Sequence, residues 1–147
     1  MSLTLEEILA LPGLEEMRLR AGSQNMHRTV RWSYVAENES IGEWVMGGEL
    51  VFVTGINHPR DEVNLLQLVD DGHTSGIAGL VILTGSAFIQ RIPDSVIARA
   101  HAYGLPLIEQ PYLLKMVIVT HLIGTALVHM AQTKRSRHDI VAQLLSG

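Results

Sequence analysis

The chain has 147 residues, of which 47% are apolar and 18% charged, and its mean hydropathy of +0.21 excludes a disordered protein. A formal net charge of −4 disfavours a chain that binds nucleic acid by itself, and the absence of cysteine excludes disulfides, thiolate metal sites and a cysteine nucleophile. The charge is unevenly placed: residues 1–110 hold seven basic and fourteen acidic side chains, whereas residues 111–147 hold four basic and one acidic.

The first third of the sequence predicts one short helix and two strands. Thr4 and Glu7 have the spacing of a capping box, and Pro12 with Gly13 ends the helix that follows. Residues 17–21 alternate between apolar and basic side chains, and residues 30–36 also alternate. Both patterns favour half-buried strands, which we expect at an antiparallel edge or in a small flanking sheet.

The middle of the sequence predicts a βαβαβ unit. Three continuous apolar runs are typical of strands buried on both faces, and two segments between them have helical periodicity. The fold class is therefore α/β: a three-layer-like domain with a parallel core, a flanking antiparallel or mixed strand pair, and a long C-terminal helix. The predicted strands are residues 50–53, 80–83 and 105–108, and the predicted helices are residues 61–71, ending at Gly72, and 93–103, ending at Gly104.

The last part of the sequence, residues 114–145, predicts one long helix, or two helices that meet near Gly124. Its apolar residues recur at steps of four, three and four, which is the spacing of a helix that pairs with another helix. We therefore expect an α/β domain at residues 1–113, a connector helix at residues 114–147, and a homodimer. The residues that carry this dimerisation hypothesis are Val119, Ile123, Ala126 and Met130.

Two nearly identical hexapeptides, at residues 50–55 and 80–85, give the best candidate for a binding site. Each places a Thr-Gly pair, Thr54-Gly55 or Thr84-Gly85, at the carboxyl end of a predicted parallel strand. Ligands bind at that edge of open α/β sheets, where glycine permits close approach of the backbone and threonine offers a hydroxyl. The alternative is that both pairs only end strands. Three acidic residues near strand ends are further candidates as hydrogen-bond acceptors: Glu37, Glu49 and Glu109.

Other kinds of site find little support. The sequence contains no HExxH motif, phosphate-binding loop or nucleophile elbow, and His121 and His129 are two helical turns apart. We therefore expect no catalytic residue, metal or cofactor. The first residues lack the pattern of a signal peptide, and residues 116–131 contain too many polar side chains to span a membrane. These features favour a cytoplasmic protein.

Several blocks of the sequence resemble the N-terminal domain of PucR-type purine catabolism regulators. The most specific block is Trp-Val-Met-Gly-Gly-Glu-Leu-Val at residues 44–51, and the resemblance covers residues 3–123. Further matching blocks lie at residues 3–12, 30–32, 35–37, 54–55, 79–81, 92–93 and 105–109.

The resemblance implies a regulatory domain of a bacterial transcription regulator that senses a small molecule, with contact to DNA only through a C-terminal region beyond this chain. Within that family, two hypotheses remain open. The domain either binds a metabolite at the strand ends, or serves as a dimerisation module without a ligand.

Overall fold

Two β-sheets and four helices make up the part of the chain that the computed structural model describes, which is residues 3–56, 59–85 and 89–129. A short 3-10 turn, Ser23–Asn25, follows the second strand. The last helix, α4, covers residues 116–129. The other elements are β1 (Leu3–Thr4), α1 (Leu5–Leu9), β2 (Arg18–Ala21), β3 (Thr29–Val30), β4 (Trp32–Ala36), β5 (Glu49–Val53), α2 (Glu62–Ser75), β6 (Gly79–Thr84), α3 (Asp94–Tyr103) and β7 (Leu107–Pro111).

The larger sheet confirms the predicted α/β class. Its strand order is β2-β7-β6-β5-β4, in which β4 to β7 are parallel and β2 is antiparallel to β7. The parallel part has one strand more than the sequence predicted, because β4 joins it instead of lying at an antiparallel edge. Residues 37–48 are long enough for the crossover that a parallel neighbour requires. β1 and β3 form a separate antiparallel pair.

The sheet separates two hydrophobic clusters, and this explains why its central strands have no polar alternation. In β5, Val51 and Val53 face the cluster that includes α2 and α3, whereas Leu50 and Phe52 face the cluster that includes α1 and α4. All four side chains are fully buried. We call these faces the α2–α3 face and the α4 face.

The helix ends show which local signals the sequence carries. The capping box between Thr4 and Glu7 is confirmed, and so is the end of α3 at Gly104. The predicted end of α2 at Gly72 is wrong, since α2 continues to Ser75 and ends at Gly76, which has a φ of 72°. Gly72 lies inside the helix, where a Cβ atom would come within 2.6 Å of Ile77 Cδ1. A larger residue at this position would therefore require the Ile77 side chain to shift.

The helix α4 packs on its own domain. Val119 and Ile123 are fully buried in the cluster on the α4 face, and Ala126 packs against the same cluster. The sequence placed these residues at a dimer interface, and their burial removes Val119 and Ile123 from the surface open to a second copy. Met130, the fourth residue of that hypothesis, lies outside the described residues. No helix within the described part of the chain is long and apolar enough to cross a membrane.

Candidate functional site

Thr84, Glu109 and Arg20 meet at the carboxyl ends of β6 and β7. The Thr84 hydroxyl donates a hydrogen bond of 2.6 Å to Glu109 Oε2, and Arg20 Nη1 lies 3.4 Å from Glu109 Oε1. Thr84 is buried, whereas the Glu109 and Arg20 side chains remain 26% and 40% exposed. One carboxylate is thus held by a neutral donor and a cation while part of it still faces solvent.

The arginine reaches this carboxylate because β2 runs antiparallel to β7. The amino end of β2 therefore lies beside the carboxyl end of β7, with Arg18 opposite Glu109. The register shifts between Leu19 and Ala21, so Arg20 is the extra residue of a β-bulge. A bulge redirects a side chain, and here Arg20 is directed towards Glu109.

These residues line an open cavity of about 600 Å³ at this edge of the sheet. Of the predicted binding residues, the structure brings Thr84, Gly85 and Glu109 together there. The residues that β2 and the segment before it contribute to the cavity were not predicted from the sequence. The sequence did show two arginines, Arg18 and Arg20, in a predicted half-buried strand. Nothing in the sequence indicated that this strand pairs with β7. The missed lining residues are Glu15, Glu16, Arg18, Arg20, Gln90 and Pro111.

One carboxylate at the rim of this cavity is fixed by the backbone. Both oxygens of Glu15 accept from the Gly13 N–H, at 3.1 Å each. This hydrogen bond, with a weaker contribution from the N–H of Glu15 itself, holds the pKa of Glu15 below its usual range. Glu15 therefore remains a hydrogen-bond acceptor at neutral pH.

The Thr54-Gly55 pair does not join this cavity. In the parallel ladder, Val51 lies opposite Leu80, although the sequence repeat aligns Val51 with Val81. This offset of one residue turns equivalent side chains to opposite faces of the sheet. Thr54 accordingly lines a second cavity, of about 300 Å³, on the α4 face.

Glu37 and Glu49 also lie apart from the cavity. Glu49 begins β5 at the opposite edge of the sheet, about 16 Å from Thr54 at ~3.3 Å per residue. Its two oxygens accept from the N–H groups of Met46 and Gly47, at 2.8 Å each, so Glu49 stabilises the turn before β5. Glu37 follows β4, is exposed, and lines neither of the two cavities.

The carboxyl end of β4 is held by Arg60. Its guanidinium donates to the Ala36 carbonyl oxygen at 3.2 Å and to Asn64 Oδ1 at 2.8 Å. Burial lowers the pKa of Arg60 from its usual value, while the charge of Glu39 opposes this effect. Arg60 therefore ties the loop after β4 to the first turn of α2, and we interpret it as a structural residue.

Metal-binding side chains do not cluster in the described residues. No group of three His, Asp or Glu side chains there is arranged to hold an ion. His121 and His129 both line a groove between Trp32 and α4, on the surface of the helix. The prediction that the chain needs no metal or cofactor stays a prediction.

Comparison with known proteins identifies similar chains. The model of the Purine catabolism regulatory protein-like family matches residues 7–127. The chain is 22% identical over 146 residues to the Purine catabolism regulatory protein of Bacillus subtilis (strain 168), in an alignment that covers 96% of this chain and 27% of that protein. This chain thus spans about a quarter of that relative's length.

A solved structure has a similar fold. It is the crystal structure of the CBS and DRTGG domains of the regulatory region of Clostridium perfringens pyrophosphatase, complexed with the activator diadenosine tetraphosphate. The TM-score is 0.54 and the sequence identity 15%, and the match covers 80% of this chain and 46% of that one. At this identity the likeness concerns the fold alone.

Proposed function

Because the chain belongs to the Purine catabolism regulatory protein-like family, we propose that it is the effector-binding domain of a bacterial transcription regulator of purine or related nitrogen-compound catabolism. The regulator acts in the cytoplasm and contacts DNA through a region other than this domain. The domain senses a small molecule and carries out no catalytic step.

The observation that carries this proposal is the polar cavity beside Thr84, Gly85 and Glu109. Its volume of about 600 Å³ lies within the range of ~300–1,000 Å³ in which proteins bind small molecules. Glu109 remains part-exposed while two partners fix its orientation. A fixed acceptor beside fixed donors recognises a ligand by its pattern of hydrogen bonds.

The charges of the cavity indicate the chemistry of the ligand. The carboxylates of Glu15, Glu16 and Glu109 and the guanidinium groups of Arg18 and Arg20 line the cavity, so the lining carries three negative and two positive charges. Such a lining repels a polyphosphate. It suits a neutral nitrogenous compound, whose N–H groups donate to Glu109 and whose carbonyl oxygens accept from an arginine. The protein with the similar fold is complexed with a polyphosphate activator. We propose that this domain is likewise regulated by a bound small molecule, but that the molecule is not a polyphosphate.

The backbone offers a route from the cavity to α4. The Tyr112 N–H donates to the Thr84 carbonyl oxygen at 2.7 Å, and the Leu114 N–H donates to the Pro111 carbonyl oxygen at 2.9 Å. A Cβ atom at Gly85 would lie 2.9 Å from Tyr112 Cβ. A ligand that moves the backbone of Thr84 and Gly85 therefore also moves the turn from which α4 begins.

The direct test is calorimetric titration of the chain with purine bases and with the ureides formed from them. We expect one of these compounds to bind, and we expect Thr84→Val and Glu109→Gln each to weaken binding by about tenfold or more, as for a lost hydrogen bond to a charged group. Thr54→Val is the matched control, because Thr54 and Thr84 are each 7% exposed and are the fifth residues of equivalent hexapeptides. Binding that is unchanged by both cavity substitutions, or no binding at all, contradicts the proposal.

A specific groove favours dimerisation as a second function. Trp32 and Val128, which are 56% and 47% exposed, line a groove of about 470 Å³ along α4. A Cβ atom at Gly124 would have no neighbour within 4 Å, so a second helix can approach the backbone closely there. We propose that α4 of a second copy packs in this groove.

Sedimentation of the chain tests the dimer. Trp32→Ser is expected to shift the protein from dimer to monomer. Trp44→Ser is the matched control, because Trp44 has the same 56% exposure and lies outside the groove. If the unsubstituted chain is a monomer, or if both substitutions have equal effects, the groove is not a dimer interface.

A further inference from the structure

The second cavity, on the α4 face, combines a buried polar group with an apolar rim. It lies between the ends of β5 and β6 and the first turn of α4, and its volume is about 300 Å³. Its inner wall includes Leu83 and Thr54, which are 3% and 7% exposed. Its rim includes Ile56, Leu113 and Val117, which are 48%, 91% and 69% exposed.

This exposed apolar rim indicates a binding site. Large apolar side chains that remain exposed together around a concavity are typical of binding sites. A stable protein interface needs about 800 Å² on each partner, which is much more than three side chains supply. The buried inner wall and the small volume therefore suit a small molecule.

Two polar groups at the cavity, the Thr54 hydroxyl and the Lys115 ammonium group, indicate that the bound molecule carries a hydrogen-bond acceptor. The Thr54 hydroxyl accepts from the Ile56 N–H at 3.2 Å and has no acceptor for its own hydrogen among the described residues. The ammonium group of Lys115 is exposed at the cavity and forms no ion pair within the described part of the chain. Both groups can donate a hydrogen bond to an oxygen.

We propose that this cavity binds a small amphipathic carboxylate, with its carboxylate at Lys115 and its apolar body between Leu83, Leu113 and Val117. The site is distinct from the polar cavity at Glu109, from which the sheet separates it. A ligand here contacts α4 directly, so its binding stabilises the packing of α4 on the domain.

Phenylacetate and its neutral analogue phenylacetamide are suitable probes, followed by chemical-shift changes of backbone amides in the chain. We expect saturable changes at Thr54, Leu83 and the first turn of α4. Phenylacetate should bind about two- to fivefold more tightly than phenylacetamide, as for an exposed ion pair. Lys115→Gln should abolish this preference and leave binding of the amide unchanged.

Val117→Asp gives a sharper test that preserves the fold. An aspartate in the first turn of a helix is favourable, yet here it repels the carboxylate and should weaken phenylacetate binding about tenfold. Val63→Asp is the matched control, since Val63 is the second residue of α2 as Val117 is of α4, and it is 73% exposed.

Three results would overturn the inference. The first is an equal effect of Val117→Asp and Val63→Asp. The second is that the shift changes fall on Thr84 and Glu109, which would place the probe in the polar cavity and leave the proposed function intact. The third is that Val117→Asp converts a dimer to a monomer, which would make the rim an interface between copies.

Discussion

The hydroxyl of Thr84 donates a hydrogen bond of 2.6 Å to Oε2 of Glu109, and this bond ties the end of β6 to the end of β7. We predict that it also contributes to stability. Because Thr84 is buried and Glu109 is part-exposed, the coupling between the two side chains should be about 1 kcal/mol in the free energy of unfolding. Urea denaturation of Thr84→Val, Glu109→Gln and the double variant measures this coupling.

Thr54 provides the control cycle. It lies on the opposite face of the sheet and has no contact with Glu109, so the effects of Thr54→Val and Glu109→Gln should add within about 0.5 kcal/mol. A coupling as large as that of Thr84 would show that the cycle reports a general change in the sheet and not the hydrogen bond.

The separation of Thr54 from Thr84 marks the limit of what the repeated hexapeptide could predict. Apolar runs predict buried strands, and both threonines do lie at the carboxyl edge of the sheet. The face to which each side chain points depends on the stagger between the strands, however. Val51 pairs with Leu80 instead of Val81, and this pairing is set by packing on both faces of the sheet, which a single sequence does not display.

The position of β2 beside the polar cavity could not be predicted from the sequence, for a different reason. The alternation of residues 17–21 predicts a half-buried strand, which β2 confirms. Its partner β7 lies about 90 residues further along the chain, and such pairing leaves no local signal. The ion pair between Arg20 and Glu109 also depends on a bulge, which turns Arg20 towards the cavity. The sequence therefore identified Glu109 as a candidate at the end of a strand, but not Arg20 as its partner.

A backbone contact at Gly22 makes a strong prediction about stability. Gly22 has a φ of 80°, and a Cβ atom there would lie 2.4 Å from the backbone of Leu105 and Pro106. We expect Gly22→Ala to lower the free energy of unfolding by about 3 kcal/mol or more, since backbone strain and a clash that cannot relax both contribute. Thermal or urea unfolding followed by circular dichroism measures the loss.

Gly76 separates the two contributions. It has a similar φ of 72°, but a Cβ atom there would meet nothing within 4 Å. Gly76→Ala should therefore cost only the strain of the left-handed conformation, about 1–2 kcal/mol. Equal losses for the two variants would mean that the contact with Leu105 and Pro106 relaxes without cost.

The pair Tyr103 and Asp70 predicts a change at alkaline pH. The Tyr103 hydroxyl donates to Asp70 Oδ1 at 2.7 Å, and this hydrogen bond, with some burial, raises the pKa of Tyr103 above its usual value. The neutral phenol is therefore favoured in the folded state. The stability that the hydrogen bond between neutral Tyr103 and Asp70 contributes is fully present below the unfolded-state pKa of tyrosine, about 10. It is lost as the pH rises through the higher pKa of Tyr103 in the folded state.

Titration of phenolate absorbance tests this assignment. Asp70→Asn should lower the pKa of Tyr103 towards its usual value. Arg99→Gln should raise it further, because the Arg99 guanidinium lies 3.0 Å from Asp70 and its charge favours the phenolate. Tyr103→Phe should remove that titration and leave that of Tyr34. Shifts of the same sign in Asp70→Asn and Arg99→Gln would contradict the electrostatic explanation.

The burial of Ile123 predicts how α4 contributes to stability. This side chain is fully buried within its own domain, so Ile123→Ala should lower the free energy of unfolding by about 2–5 kcal/mol. The loss should be the same at two widely separated protein concentrations, because the Ile123 side chain packs within its own chain and not against a second copy. Ile118→Ala, at a position that is 48% exposed and outside the groove that Val128 lines, should change stability by about 0.5 kcal/mol or less. If the effect of Ile123→Ala instead depends on concentration, as it does when unfolding is linked to dissociation, Ile123 lies at a dimer interface as its helical spacing first indicated.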